Sequence, residues 1–216
     1  PLEELLRDEI RLALQDSDPS AALRAASRHE FEDVFSVPLL REAVCRQLVE
    51  EVESFRSWAK IRGQVSPGLL LGSRWYLKQM SPAYEVLCER LLTEVLRPLD
   101  RALIGIKAPL TYHHDYCIGY DEEADRTLKP HTDDSDITLN VFLGSGSSAS
   151  HTGARLRLLD PTEEDTRCGT PRLDTFAGKM RLYEHNEIGR AVIHPGDRWH
   201  AVDQLHSGCR WNLLTW

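Results

Sequence analysis

The apolar rhythm of the chain changes once, near residue 108. Before that point hydrophobic positions recur every three to four residues, the period of a helix with one buried face. Leu2, Leu5, Leu6, Ile10 and Leu14 predict an amphipathic helix, which Asp18-Pro19-Ser20 interrupts. An Ala-rich helical stretch follows over 20–28, and residues 31–37, rich in Phe and Val, read as a strand. Ser36 with Pro38 predicts the start of the next helix, whose apolar face is Val44, Leu48, Val52 and Phe55. Residues 61–73 hold three Gly and one Pro and read as a loop. Ser81-Pro82 predicts the start of the longest helix, over 82–104, with Val86, Leu87, Leu91, Val95, Leu99 and Leu103 on its buried side. Core packing accounts for nearly all of this half without any chemistry.

From Pro109 the period becomes two, as in strands. Strands are predicted at 112–120, 136–144, 155–159, 189–194, 199–202 and 210–216. Tyr112, His114, Tyr116, Ile118 and Tyr120 share one face; Thr138, Asn140 and Phe142 share another. Short strands parted by Gly, Pro and Asp turns indicate a barrel or sandwich. Residues 144–154 read as a mobile Gly/Ser linker, and 160–178 as a polar insertion without period.

Composition narrows the function classes. The chain has 216 residues, room for a sizeable core. Its net charge of −8 argues against general binding to phosphate backbones, so a nucleic-acid partner is not expected. No apolar run reaches the roughly 20 residues that cross a bilayer, so no membrane partner is expected either. Cys45, Cys88, Cys117, Cys168 and Cys209 are scattered, with no C-x-x-C pair. That usage predicts buried thiols in a reducing, intracellular (cytoplasmic) setting. Nothing in the pattern speaks to oligomeric state.

The densest polar cluster of the strand half is Lys129-Pro130-His131-Thr132-Asp133-Asp134-Ser135-Asp136. On an extended chain His131 and Asp133 point to the same side, so imidazole and carboxylate can reach one ion. Alone, H-x-D reads as a polar turn before a strand. The segment 189–216 changes that reading, because it supplies His200 and, ten residues on, Arg210. His131, Asp133 and His200 would form a 2-His-1-carboxylate face that leaves three positions of an octahedral ion open, the arrangement suited to non-haem iron. His194 and His206 compete with His200. Arg210, a planar fork across a hairpin, suits a carboxylate held deeper in the barrel. His113 and His114 read as hydrogen-bonded structural residues on an early strand. Lys129 reads as solvated, and Asp134 and Asp136 as turn caps or contacts to a basic substrate group.

With these residues in hand, 112–144 and 189–216 resemble the iron- and 2-oxoglutarate-dependent dioxygenases, in the branch of the prolyl 4-hydroxylases and procollagen lysyl hydroxylases. The run KPHTDDSDITLNVFLG is similar to the oxygenase domain-containing proteins of that superfamily. The resemblance covers about 31–216. It implies an α+β fold: a double-stranded β-helix (jelly-roll, cupin-like) core with N-terminal supporting helices. Residues 1–108 would brace a catalytic core at 109–216, as one integrated domain. Fe(II) would be the cofactor, with 2-oxoglutarate and O2 as cosubstrates. The resemblance matches His131, Asp133 and His200 to the metal ligands and Arg210 to the partner of the distal 2-oxoglutarate carboxylate, which together make the catalytic set. It matches Tyr120 to a tyrosine lining the cosubstrate pocket. Strand parity makes Asn140 a cosubstrate contact, with Thr138 or Phe142 as alternatives for that layer, and Asn212 shares a face with Arg210.

The implied reaction is hydroxylation of an unactivated C–H bond, coupled to conversion of 2-oxoglutarate to succinate and CO2. The implied substrate is a prolyl or lysyl side chain of a protein. A free amino acid or other small molecule is the alternative, and a non-catalytic interaction domain is a third reading. A wide groove beside 144–154 would favour a peptide and a closed pocket a small molecule. Asp133 separates the chain from halogenating relatives, which lack that carboxylate. Trp216 stands where the nucleic-acid demethylases carry a second Arg. The chain departs from the family at Gly153-Ala154, where a Gly-Gly pair is usual.

Overall fold

The computed structural model describes residues 1–63, 74–122, 125–148 and 150–216. The expected loop at 61–73 lies almost wholly outside the described residues, as does position 149 of the Gly/Ser stretch. The chain opens with a 3-10 turn at Leu2–Glu4, then α1 (Asp8–Leu14) and α2 (Pro19–Ala26), so the first predicted helix is split in two. Asp18 caps α2 by accepting from the Ala21 N–H at 3.1 Å, with Pro19 in the first turn.

A hairpin follows, β1 (Arg28–Phe31) and β2 (Val34–Pro38), where one strand was expected. Pro38 closes β2 and does not start a helix; α3 begins at Glu42 and runs to Ile61. At 20 residues α3 is the longest helix among the described residues, a place the pattern gave to 82–104. After β3 (Arg74–Tyr76) and α4 (Leu77–Met80), that predicted helix forms as three joined segments. These are α5 (Pro82–Leu91), a π-helical turn (Leu92–Leu96) and α6 (Arg97–Leu103). Pro98 explains the interruption: it has no N–H for the Glu94 carbonyl, and its ring crowds that oxygen.

The strands after residue 108 are β4 (Asp115–Tyr120), β5 (Leu128–His131), β6 (Ile137–Gly144), β7 (Thr152–Gly153) and β8 (Leu156–Asp160). After α7 (Glu163–Thr166) come β9 (Lys179–Tyr183), β10 (Arg190–Pro195), β11 (His200–Val202), β12 (Leu205–Ser207) and β13 (Arg210–Thr215). Periodicity missed β3, β5, β7, β9 and β12, which are short or polar.

A seven-stranded antiparallel sheet, ordered β1-β2-β10-β6-β13-β4-β3, faces a four-stranded sheet ordered β5-β11-β8-β9. Two cores result. Odd positions of the large sheet, such as Cys117, Leu139, Val141, Ile193 and Leu213, pack against the helices. Even positions such as Tyr116, Ile118, Tyr120, Val192 and Leu214 meet Leu156, Leu158 and Val202 of the small sheet. Both faces of β6 and β13 are therefore buried along their whole length. The fold is an α+β jelly roll. Residues 1–108 supply three strands of the large sheet as well as helices.

Candidate metal centre

Strand pairing, rather than the H-x-D spacing alone, creates the site. β5 and β11 run antiparallel with His131 directly opposite His200. The two imidazole centroids lie 4.2 Å apart. Asp133 follows β5 and sits between them: its Oδ1 is 3.6 Å from His131 Nε2 and its Oδ2 3.6 Å from His200 Nε2. One donor atom from each residue falls within 4.8 Å of the others. The Asp133 side chain is 1 % exposed and that of His131 29 % exposed, so the cluster opens to solvent on the His131 side.

The ring orientations suit a cation. His131 Nδ1 is 2.9 Å from the Lys129 carbonyl, and His200 Nδ1 is 2.9 Å from the Arg198 carbonyl. A carbonyl only accepts, so each Nδ1 carries the proton and each Nε2 presents a lone pair inward. Burial, and then the neighbouring His200, push the His131 imidazole down to about 4, so it stays neutral. Asp133 Oδ1 is buried without a hydrogen-bond partner, a costly state for a carboxylate oxygen that a cation would relieve. Two imidazoles and one carboxylate suit a divalent first-row ion.

Arg210 opens β13 directly opposite Tyr120 of β4. It is 1 % exposed, its guanidinium carbon lies 4.6 Å from the Tyr120 ring centroid, and one amino group donates to the Ala154 carbonyl. Burial pushes it down to about 10, still a cation at neutral pH. Its Nε is buried without a partner. Between the two ends, Asn212 Nδ2 donates to Asn140 Oδ1 at 2.7 Å, fully buried. The Asn amides thus bridge β13 and β6 inside the barrel.

No family profile matches the chain. It is 25% identical over 220 residues to 2-oxoglutarate and iron-dependent oxygenase domain-containing protein 2 of Danio rerio, covering 99% of this chain and 57% of that protein. It is 28% identical over 193 residues to the multifunctional procollagen lysine hydroxylase and glycosyltransferase LH3 of Rattus norvegicus, covering 85% of this chain and 23% of that one. The fold is shared with AviO1 of Streptomyces viridochromogenes, at 13% identity and a TM-score of 0.61, over 91% of this chain and 92% of that one. Along most of its length the chain is similar to proteins named as 2-oxoglutarate and iron-dependent oxygenases. It spans about half the length of the oxygenase domain-containing relatives it matches.

Within this fold the rival residues take other places. His194 is buried beside His200, with ring centroids 4.9 Å apart, but its Nδ1 binds the Pro195 carbonyl and it stands outside the cluster. His206 is exposed in β12. His113 pairs with Asp115, and His114 packs among Tyr76, Tyr116 and Trp216. Asp134, Asp136 and Lys129 are exposed.

Thr138, an alternative to Asn140 for the cosubstrate layer, turns to the metal ligand instead, and His185 went unassigned from sequence. Thr138 donates to Asp133 Oδ2 at 2.6 Å. His185, buried at 6 %, is held neutral by burial and by the Arg210 charge. The inward parity with Asn140 found Thr138 but not its bond to Asp133; His185 lies past a strand that periodicity missed.

Ala154 keeps the left-handed backbone that a Gly-Gly pair would supply, at φ 50°, beside Gly153 at φ 80°. Its methyl is buried in the barrel core, and its carbonyl is the one Arg210 binds. A cavity of about 1300 Å³ lies beside Ser145–Gly153, lined by His151, His185, Arg155 and Arg157. None of His131, Asp133 and His200 lines it, so its width does not bear on what approaches the triad. No helix among the described residues is long and apolar enough to cross a membrane. Cys45, Cys88, Cys117 and Cys209 are buried free thiols and Cys168 is exposed.

Proposed function

We propose that the chain is the catalytic region of a dioxygenase that uses Fe(II), 2-oxoglutarate and O2 to hydroxylate an unactivated C–H bond, releasing succinate and CO2. The observation that carries this reading is the buried Asp133 carboxylate, its Oδ1 unpartnered, with an imidazole Nε2 3.6 Å from each of its oxygens. His131, Asp133 and His200 would hold the iron through three positions. The iron, when bound, supplies the activation of O2.

The chain's own residues bind and orient. The Lys129 and Arg198 carbonyls lock the two imidazole tautomers. Arg210 supplies a fixed cation for the distal carboxylate of the keto acid, with Tyr120 beneath it and Asn140 along its length. Burial of this end excludes water and strengthens the charge pairing. Residues 109–216 form the catalytic core, and 1–108 brace it within one domain.

A prolyl or lysyl side chain of a protein is the substrate class favoured here, because the chain is similar to a procollagen lysine hydroxylase along 85% of its length. The competing substrate is a free amino acid or other small molecule. The test is succinate release from 2-oxoglutarate with anaerobically added Fe(II), then air, for wild type beside His131→Ala and Arg210→Ala. Turnover lost in both variants, and raised by lysyl or prolyl peptides more than by free amino acids, supports the full reading. Neither turnover nor 2-oxoglutarate binding in wild type leaves a non-catalytic binding domain instead.

A further inference from the structure

The two oxygens of Asp133 are not equivalent. Oδ1 has no hydrogen-bond partner. Oδ2 accepts from the Thr138 hydroxyl at 2.6 Å, inside the barrel. Thr138 is 1 % exposed and stands on β6 beside His194 of β10. A threonine hydroxyl carries one hydrogen, and an ionised carboxylate only accepts. That hydrogen is therefore committed to Asp133. The second contact of Thr138, with Ser135 Oγ at 3.2 Å, must then run the other way, with Ser135 donating. The result is a directed row: Ser135 to Thr138 to Asp133.

The row is anchored at its outer end. The Asp133 N–H donates to the Gly196 carbonyl at 2.8 Å, and the Gly196 N–H donates to the Asp136 carbonyl at 3.1 Å. A Cβ at position 196 would fall 1.8 Å from the Ser135 carbonyl oxygen, so only glycine admits this approach. The loop that carries Asp133 and Ser135 is thereby clamped to the turn that leads into His200.

We propose that Thr138, supported by Ser135, holds Asp133 to one-oxygen ligation and so keeps a third coordination position open. The inference rests on the reading that this cluster holds iron. With Oδ2 engaged by Thr138, Oδ1 is the oxygen left for the ion. Two imidazoles and one oxygen occupy three of six positions. A keto acid bound through two atoms takes two more, and one remains for a small ligand. If Oδ2 were released, the carboxylate could close on the ion through both oxygens and fill that last position. Thr138 is thus a positioning residue, acting through Asp133.

The test is anaerobic titration of the Fe(II)·2-oxoglutarate protein with nitric oxide, a diatomic probe of the open position, read by its spin resonance signal. Thr138→Val, Thr138→Ser and Ser135→Ala are run beside wild type. Thr138→Val should weaken nitric oxide binding about ten-fold, the scale of a lost outer-shell contact. Its Fe(II) and 2-oxoglutarate dissociation constants should move less than about three-fold, because Asp133 Oδ1 and both imidazoles remain as ligands. Thr138→Ser keeps the hydroxyl and should restore the wild-type value. Unchanged nitric oxide affinity in Thr138→Val overturns the proposal, as does an equal loss of all three affinities. If Thr138→Val does not fold, Ser135→Ala decides, with weaker nitric oxide binding at unchanged Fe(II) affinity in favour and no difference against. Failure of wild type to bind Fe(II) or 2-oxoglutarate would instead remove the underlying metal reading.

Discussion

Arg210 and Tyr120 face each other across β13 and β4, the guanidinium carbon 4.6 Å from the ring centroid. The pairing places a fixed cation on an aromatic floor, at the far end of the barrel strands from the His131–His200 pair. Truncating Arg210 removes charge-assisted bonds that contribute about 1.5–3 kcal/mol each. Arg210→Ala should therefore weaken 2-oxoglutarate binding by roughly 10- to 100-fold, with Fe(II) affinity unchanged. Tyr120→Phe keeps the ring and loses only the hydroxyl, so a loss of about five-fold is expected. Calorimetric titration of 2-oxoglutarate into the metal-loaded protein measures both. Equal affinity in Arg210→Ala and wild type would remove Arg210 from the cosubstrate site.

Ligand linkage gives a second prediction that needs no turnover. A metal that binds the folded chain alone stabilises it by about 2.7 kcal/mol at one hundred times its dissociation constant. For a chain of this size that corresponds to a rise in Tm of roughly 5–10 °C. Mn(II) added to chelator-treated protein should produce that rise, and excess chelator should reverse it. His131→Ala and Asp133→Ala should abolish the response. A Tm that ignores Mn(II) in wild type would show that the cluster does not hold a divalent ion.

What the sequence exposed follows from how local each signal is. The alternation in DITLNVFLG and the change of period near residue 108 are local, and both became β6 and the two-layer core. Pro38 misled because a strand end tolerates proline as readily as a helix start does. Lys129-Pro130 hid β5, an edge strand whose polar, proline-containing sequence looks like a turn. The opposition of His131 and His200, and of Arg210 and Tyr120, is a matter of register between distant strands, which no local pattern contains. His185 escaped for the same reason: its place beside the Arg210 end depends on β9, which reads as a polar run.

Ala154 tests how the barrel accommodates a side chain where glycine is usual. A left-handed conformation costs an L-residue about 1–2 kcal/mol. Burying the methyl returns about 0.8 kcal/mol, and avoiding glycine's chain entropy returns about 0.5–1 kcal/mol. These nearly cancel, so Ala154→Gly should leave stability within about 1 kcal/mol of wild type. The Ala154 carbonyl still meets Arg210, so 2-oxoglutarate affinity should hold within about three-fold. Ala154→Val adds a branched side chain at φ 50° in a closed core and should lose at least about 2 kcal/mol. Urea denaturation of the three proteins gives the comparison. A large gain from Ala154→Gly would mean that the buried methyl contributes little.

The buried His185 predicts a pH dependence of known sign. Burial, and then the Arg210 charge, keep it neutral well below its ordinary range in the folded chain. In the unfolded chain it takes up a proton below about pH 6.5. The unfolded state then binds more protons than the native state, so stability falls as pH drops below that value and is unaffected by this group above it. The slope reaches about 1.4 kcal/mol per pH unit for one such group. His131 and His194, both pushed down to about 4 by burial first and then by His200, act in the same sense in metal-free protein. His185→Gln removes one of these contributions. Its Tm should run parallel to wild type above pH 6.5 and gain on it by roughly 3–5 °C per unit below. Differential scanning calorimetry of metal-free protein from pH 8 to 5 measures this. Parallel curves across the whole range would mean that His185 gains its proton in the folded state as readily as in the unfolded one.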